Sequence, residues 1–176
     1  GTDGLVATGT FGSGTLPATG AGTRLMWYPK KAAFRAGYVD GTQWDDGSVG
    51  DYSTVSGGQN NTASGTRATV SGGQDNTASA QHVTIGGGRT NTASSTQATV
   101  GGGIQNTASN INATVAGGWQ NTASGGQATV AGGVYNTAAG TNAAVPGGHS
   151  NSAAGDYSFA AGRRAKANHA GAFVWA

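Results

Sequence analysis

Few side chains in this sequence are equipped for chemistry, and their spacing decides what they can do. His82, His149 and His169 stand far apart in turn-like surroundings. None has a Cys, Ser or carboxylate at the spacing of a nucleophile and its base. Asp40, Asp45 and Asp46 supply the oxygen donors that hard cations prefer. Their spacing matches no EF-hand loop, and aspartates in turns commonly serve their own backbone. Gly9-Thr10-Phe11-Gly12 lacks the following helix that a phosphate-binding loop requires. The calcium nonapeptide of β-rolls needs an Asp in every turn, whereas Asp75 has no counterpart in neighbouring segments. Accordingly, no catalytic residue, cofactor site or metal site is assigned.

What does recur is hydroxyls and one variable column, and both are products of a repeat. From Ser53 to Ser152 the unit Ala-Thr-Val-x-Gly-Gly-x-x-Asn-Thr-Ala-Ser returns every fifteen residues. Its Val or Ile falls at Val55, Val70, Ile85, Val100, Val115, Val130 and Val145 without a slip. A fixed short period means a solenoid, one supersecondary unit per repeat. The hydroxyls Thr62/Ser64, Thr77/Ser79, Thr92/Ser94, Thr107/Ser109 and Thr122/Ser124 then form two parallel files on one flat strand, the type of array an ice-binding solenoid uses. The position after Gly-Gly runs Gln59, Gln74, Arg89, Ile104, Trp119, Val134, His149, with Tyr135 in the column beside it. Exposed apolar side chains in a solenoid turn can mark a binding surface. Arg89, Ile104, Trp119 and Tyr135 are therefore the candidate ligand surface.

Alternation sets which side chains face inward. In Ala68-Thr69-Val70, Ala68 and Val70 share one face and Thr69 takes the other. Ala78, between Thr77 and Ser79, completes a core of one Val and two Ala per coil. Two short strands joined by turns at Gly72-Gly73 and around Ala80-Gln81 give a flat roll. Asn61 and its equivalents at every fifteenth position either stack into an amide ladder or cap a turn. Coils stacked at the usual strand spacing make a body of roughly 35 Å. A core this thin contributes little against the ~1–2 kcal/mol per residue of backbone entropy, so packing of several rolls side by side is expected.

Composition agrees. Glycine supplies 34 of 176 residues, but without a triplet period, which excludes collagen. Charged residues are only 9%, too few for a disordered polyelectrolyte. Between Val55 and Ser152 the charges are Arg67, Asp75 and Arg89 alone. Such a body lacks the basic stripe of a nucleic-acid binder, so no nucleic-acid partner is expected. No apolar run reaches the ~20 residues of a membrane span, and no membrane insertion by this segment is expected. Beginning at Gly1, the chain is expected to be a processed or excised piece of a longer protein.

The ends differ from the body. Residues 1–52 are read as an N-terminal cap or base, with an irregular loop at 38–51; residues 53–155 as the repeat roll; residues 156–176 as a capping coil. Arg24-Leu25-Met26-Trp27-Tyr28-Pro29 brings the bulk to plug the open end. At the other end Phe159-Ala160 recurs as Phe173-Val174, one residue short of the period, and Arg163, Arg164 and Lys166 suit a cap or an inter-chain contact.

These repeats resemble the left-handed parallel β-roll heads of trimeric autotransporter adhesins, which repeat a Ser-Val-Ala-Ile-Gly strand at a slightly shorter period. Arg24 to Pro29, Gly41-Thr42-Gln43-Trp44-Asp45-Asp46 and Arg163-Arg164-Ala165-Lys166-Ala167-Asn168-His169 extend the likeness to bacterial proteins carrying such heads. Many of those end in an intramolecular chaperone domain like that of phage tail fibres. The resemblance implies an all-β, left-handed, capped β-roll, a homotrimer without catalysis or cofactor, and an extracellular place on a bacterial surface or a virion fibre. It also implies that any chaperone domain has been lost before Ala176. The function expected is structural or adhesive attachment to an unidentified surface ligand, with ice binding or a tail-fibre shaft as alternatives. In that trimer Thr54, Thr69, Thr84, Thr99, Thr114, Thr129 and Phe159 would approach the shared axis.

Overall fold

A computed structural model describes residues 4–176. The repeat folds as the alternation requires, into a parallel β-solenoid whose coils each give two-residue strands to two facing sheets. One sheet takes the Thr-Val strands, Thr54–Val55 through Ala144–Val145; the other takes Thr62–Ala63 through Ser152–Ala153. Register is in phase throughout, so Val100 lies between Ile85 and Val115, and Ala108 between Ala93 and Ala123. Among the described residues the helical content is two three-residue 3-10 turns, Pro29–Lys31 and Asp46–Ser48.

The interior is the expected one: the Val/Ile column, the Ala68 column and the Ala78 column are all buried. A fourth column joins them. Asn61, Asn76, Asn91, Asn106, Asn121, Asn136 and Asn151 point inward at 0–1% exposure. The Asn106 amide donates to Gly102 O and Gly118 O at 2.9 Å each, and its Oδ1 accepts the Asn121 backbone N–H at 3.0 Å. Each Asn therefore bonds its own Gly-Gly turn and the next coil, which satisfies a polar side chain that burial would otherwise penalise. The stack is chiefly side chain to backbone rather than amide to amide; only Asn76 adds an amide contact to Asn61, at 3.1 Å.

Corners are turned partly by glycine. Gly103, second of its pair, sits at φ +87°. A Cβ there would come within 2.2 Å of Gly118 O and 2.6 Å of Asn106 Nδ2. Each coil also holds two non-glycine residues in the left-handed region, such as Arg67 (φ 59°) and Asp75 (φ 56°). Asn60, Asn112 and Asn142 suit that region; Thr90 and Tyr135 do not, and occupy it because the stacked coils leave no other path.

At the N-terminal end the hairpin β1 (Gly22–Tyr28) and β2 (Ala33–Val39) joins the Thr-Val sheet, β2 pairing in parallel with Thr54–Val55. Met26 and Tyr28 turn inward as a plug, while Leu25 and Trp27 face outward. The irregular loop at 38–51 folds over the roll, burying Trp44 with its indole N–H donating to Asn61 O at 2.9 Å. Arg35, paired with Val55, fills the end of the Val column. Its guanidinium donates to the carbonyls of Phe34, Ser53 and Ala63 and to Ser53 Oγ at 2.7–2.9 Å. Removal from water pushes its pKa down to about 10. At the far end Phe173 pairs with Phe159, and Asn151 reaches the backbone N–H of Ala165, so the last coil is one residue short as the spacing indicates.

The two glycines of one turn should separate sharply. Gly102→Ala, whose Cβ meets nothing within 4 Å, should change stability by about 1 kcal/mol or less. Gly103→Ala should cost about 2 kcal/mol or more through strain and collision. Urea unfolding of both variants checks this, and equal midpoints would refute the close approach of coils.

Candidate binding ridge

Between the two sheets, the residue after each Gly-Gly pair makes a bridge to its equivalents above and below. The ladder runs Tyr38, Gln59, Gln74, Arg89, Ile104, Trp119, Val134, His149, Arg163. The next residue in each coil is left-handed and reaches back to the preceding coil. Trp119 N–H donates forward to Gly133 O and Tyr135 N–H back to Trp119 O, both at 3.0 Å. The backbone of this edge is thus held by hydrogen bonds in both directions while its side chains point to water.

On that edge three of the four candidate ligand residues form one patch. Ile104 and Trp119 are neighbours in the ladder, 38% and 44% exposed, and Tyr135 leans across from the adjacent column at 43%. The Trp119 and Tyr135 ring centroids lie 5.0 Å apart, tilted by 47°. His149 extends the row, its ring 5.8 Å from Tyr135 and edge-on. The Trp119 indole N–H donates to Gln105 Oε1 at 3.2 Å, and the Ser150 hydroxyl lies 2.9 Å from His149 Nδ1. Arg89, the fourth candidate, is exposed one coil before Ile104. His149 lies in the variable column but is not among the four candidates that the sequence pattern singles out. Its place two coils beyond Trp119 in one column was the available signal.

The other candidate surfaces lie on the flat faces. Thr54, Thr69, Thr84, Thr99, Thr114 and Thr129 form one in-register outer file on the Thr-Val sheet, continued by Ala144, Phe159 and Phe173. Phe159 and Phe173 stack at 4.8 Å and 7°. Phe34 opens the same file next to Thr54. On the opposite sheet Thr62, Thr77, Thr92, Thr107 and Thr122 make the second file, half-buried between neighbours. Their companions Ser64 and Ser124 are half-buried, whereas Ser79, Ser94 and Ser109 are exposed.

The acidic loop is divided among separate partners. Asp40 accepts from Gln43 and Asn60, which hold its carboxyl below the usual range. Asp45 accepts from the Gly20 N–H. Asp46 accepts from the Tyr28 hydroxyl and pairs with Lys30 and Lys31; the Tyr28 bond is the main cause of its lowered pKa. Among the described residues no three His, Cys, Asp or Glu side chains gather as a metal site would need. No described helix is long and apolar enough to cross a membrane. Arg163, Arg164 and Lys166 are all exposed at the last coil.

No protein-family model matches the chain, and no curated protein matches it.

Because the ridge side chains lie outside the core, exchanging them for residues found elsewhere in their columns should leave the fold intact. Trp119→Gln, the residue at Gln59 and Gln74, and Tyr135→Asn, the residue at Asn60, should each shift stability by about 0.5 kcal/mol or less. Thermal melts followed by circular dichroism measure this; a large loss would make the row part of the core.

Proposed function

We propose that this solenoid is a non-enzymatic attachment rod, working outside the cell on a bacterial surface or a virion fibre, and assembled as a homotrimer of left-handed rolls like an adhesin head. The observation that carries the reading is the outer file of the Thr-Val sheet. From Phe34 through the six threonines to Ala144, Phe159 and Phe173 it contains no charged side chain. It also becomes apolar at both ends. Leu25 and Trp27 lie exposed at one end, where with Leu5, Ala7 and Phe34 they line a depression of about 390 Å³. Phe173 and Trp175 are exposed at the other, at 71% and 75%. Small, uncharged side chains between apolar ends suit close packing against another roll. Such contact supplies the burial that one Val and two Ala per coil cannot. Repetition then gives reach, and three copies give avidity.

A second reading attaches to the opposite sheet. Its threonines repeat in strict register from Thr62 to Thr137 and stay partly open to water. A regular hydroxyl array of that kind suits an ice surface. The serine companions weaken it, since Ser64 and Ser124 are half-buried while the three between them are exposed, and the file gives way to Ala139 and Ala154.

Light scattering on the purified chain should give the mass of three copies. Thr99→Lys, placing a charge mid-file, should dissociate the assembly or lower its melting temperature. A stable monomer, or a lysine variant that sediments and melts like the parent, would end the trimer reading. Thermal hysteresis in the parent would move the assignment to ice binding; its absence is the expected result.

A further inference from the structure

We infer that the ridge at Ile104, Trp119, Tyr135 and His149 is a binding strip for a linear, equatorially linked glycan, an inference that rests on the attachment reading above and gives it a ligand class. The fold does not ask for aromatic residues there. In the same two columns other coils carry Gln59, Asn60, Gln74, Asp75 and Thr90, and the core beneath is unchanged. Left-handed backbone at Tyr135 (φ 57°) favours Asn or Gly, so its ring is not there for the backbone either. Three rings on successive levels nevertheless lie within 5.0 and 5.8 Å of one another with faces and edges open to water.

The chemistry of the strip selects the ligand. A pyranose ring presents an apolar C–H face with hydroxyls around its rim. Trp119 and Tyr135 offer flat apolar surfaces with a polar tip. Gln105, Gln120, Ser150 and His149, beside those rings, offer both donors and acceptors to the rim. The coils rise by about 4.8 Å, comparable to the length of one sugar in an extended chain, so successive sugars can meet successive levels. The indole is already oriented by Gln105, and the backbone beneath is bonded in both directions, so little ordering is left for binding. A folded protein partner fits less well. The strip is two side-chain columns wide, whereas a stable protein interface needs ~800 Å² from each side.

The test uses the intact assembled protein, with cellohexaose and chitohexaose as probes. Binding is read by titration calorimetry and by fluorescence of the exposed Trp119. At least one hexasaccharide should bind. Trp119→Gln and Tyr135→Asn should each weaken it by roughly tenfold, the scale of one lost aromatic contact. Ile111→Asn, at another exposed corner, should bind like the parent. Two results would overturn the inference: no binding of either sugar to the parent at millimolar concentration, or equal affinity in the parent and both ridge variants. If a poly-L-proline peptide binds in a Trp119-dependent way while neither sugar does, the glycan is wrong but attachment stands. If the parent proves monomeric yet binds sugar through Trp119, the trimer is wrong but the strip stands.

Discussion

The whole structure depends on how closely one coil can lie on the next at the Gly-Asn corner. The second glycine of each pair brings its backbone so near the following coil that even a methyl group would collide with a carbonyl. Within that space one buried amide serves both coils. Asn106 ties Gly102 in its own turn and Gly118 in the next, and accepts the N–H of Asn121. Serine has a single hydroxyl proton and cannot donate twice, aspartate cannot donate when ionised, and glutamine carries one methylene too many for the gap. Glycine and asparagine together therefore fix the rise, the register and the length of the coil. Other positions need only respect the inward or outward sense of their strand.

That constraint explains why so thin an interior can be regular. Strands of two residues have little pairing strength of their own, but every coil repeats the same bonds in the same place, so the ladders and the asparagine row reinforce one another. The weakness is confined to the ends, where repetition stops. There the chain changes its chemistry. At the N-terminal end, a plug of Met26, Tyr28 and Trp44 closes the roll. Arg35 adds a second donor to the Ser53 and Ala63 carbonyls, which also accept from the Phe34 and Gly50 N–H groups, at the cost of a guanidinium held in a dry site. Ser53 and Ser158, buried in the Ala68 column, are polar only where the repeat is about to break.

Fold and function are separable here because the constraint is internal. The outer files and the ridge take no part in the asparagine row, so their side chains vary at small cost to the coil. The Thr-Val face stays uncharged and ends in aromatic residues, the Thr-Ala face keeps its hydroxyls, and the ridge drifts from Gln59 and Gln74 to Trp119 and His149. Three surfaces on one scaffold can therefore serve assembly, solvent contact and recognition independently.

Much of the solenoid was legible in the sequence. The fifteen-residue period, the alternation in Ala68-Thr69-Val70 and the short final coil are local patterns, and a repeat converts local patterns into global ones. Less legible was anything that required knowing what lies on the next level. The inward turn of Asn61 and its equivalents depends on a carbonyl twelve residues away and a backbone N–H fifteen residues away arriving within hydrogen-bond reach. Arg35 looks like one more cation in a basic segment until pairing with Val55 carries it into the core. Trp44 reads as part of an irregular loop until the loop folds over the open end. His149 joins Tyr135 and Trp119 only because adjacent columns on successive coils lean together. The sequence by itself determined the repeat, the facing of its strands and the emptiness of its charge. The tertiary structure decided which polar groups are buried and which rings meet. Those outcomes depend on distances between coils, and a linear pattern states only their order.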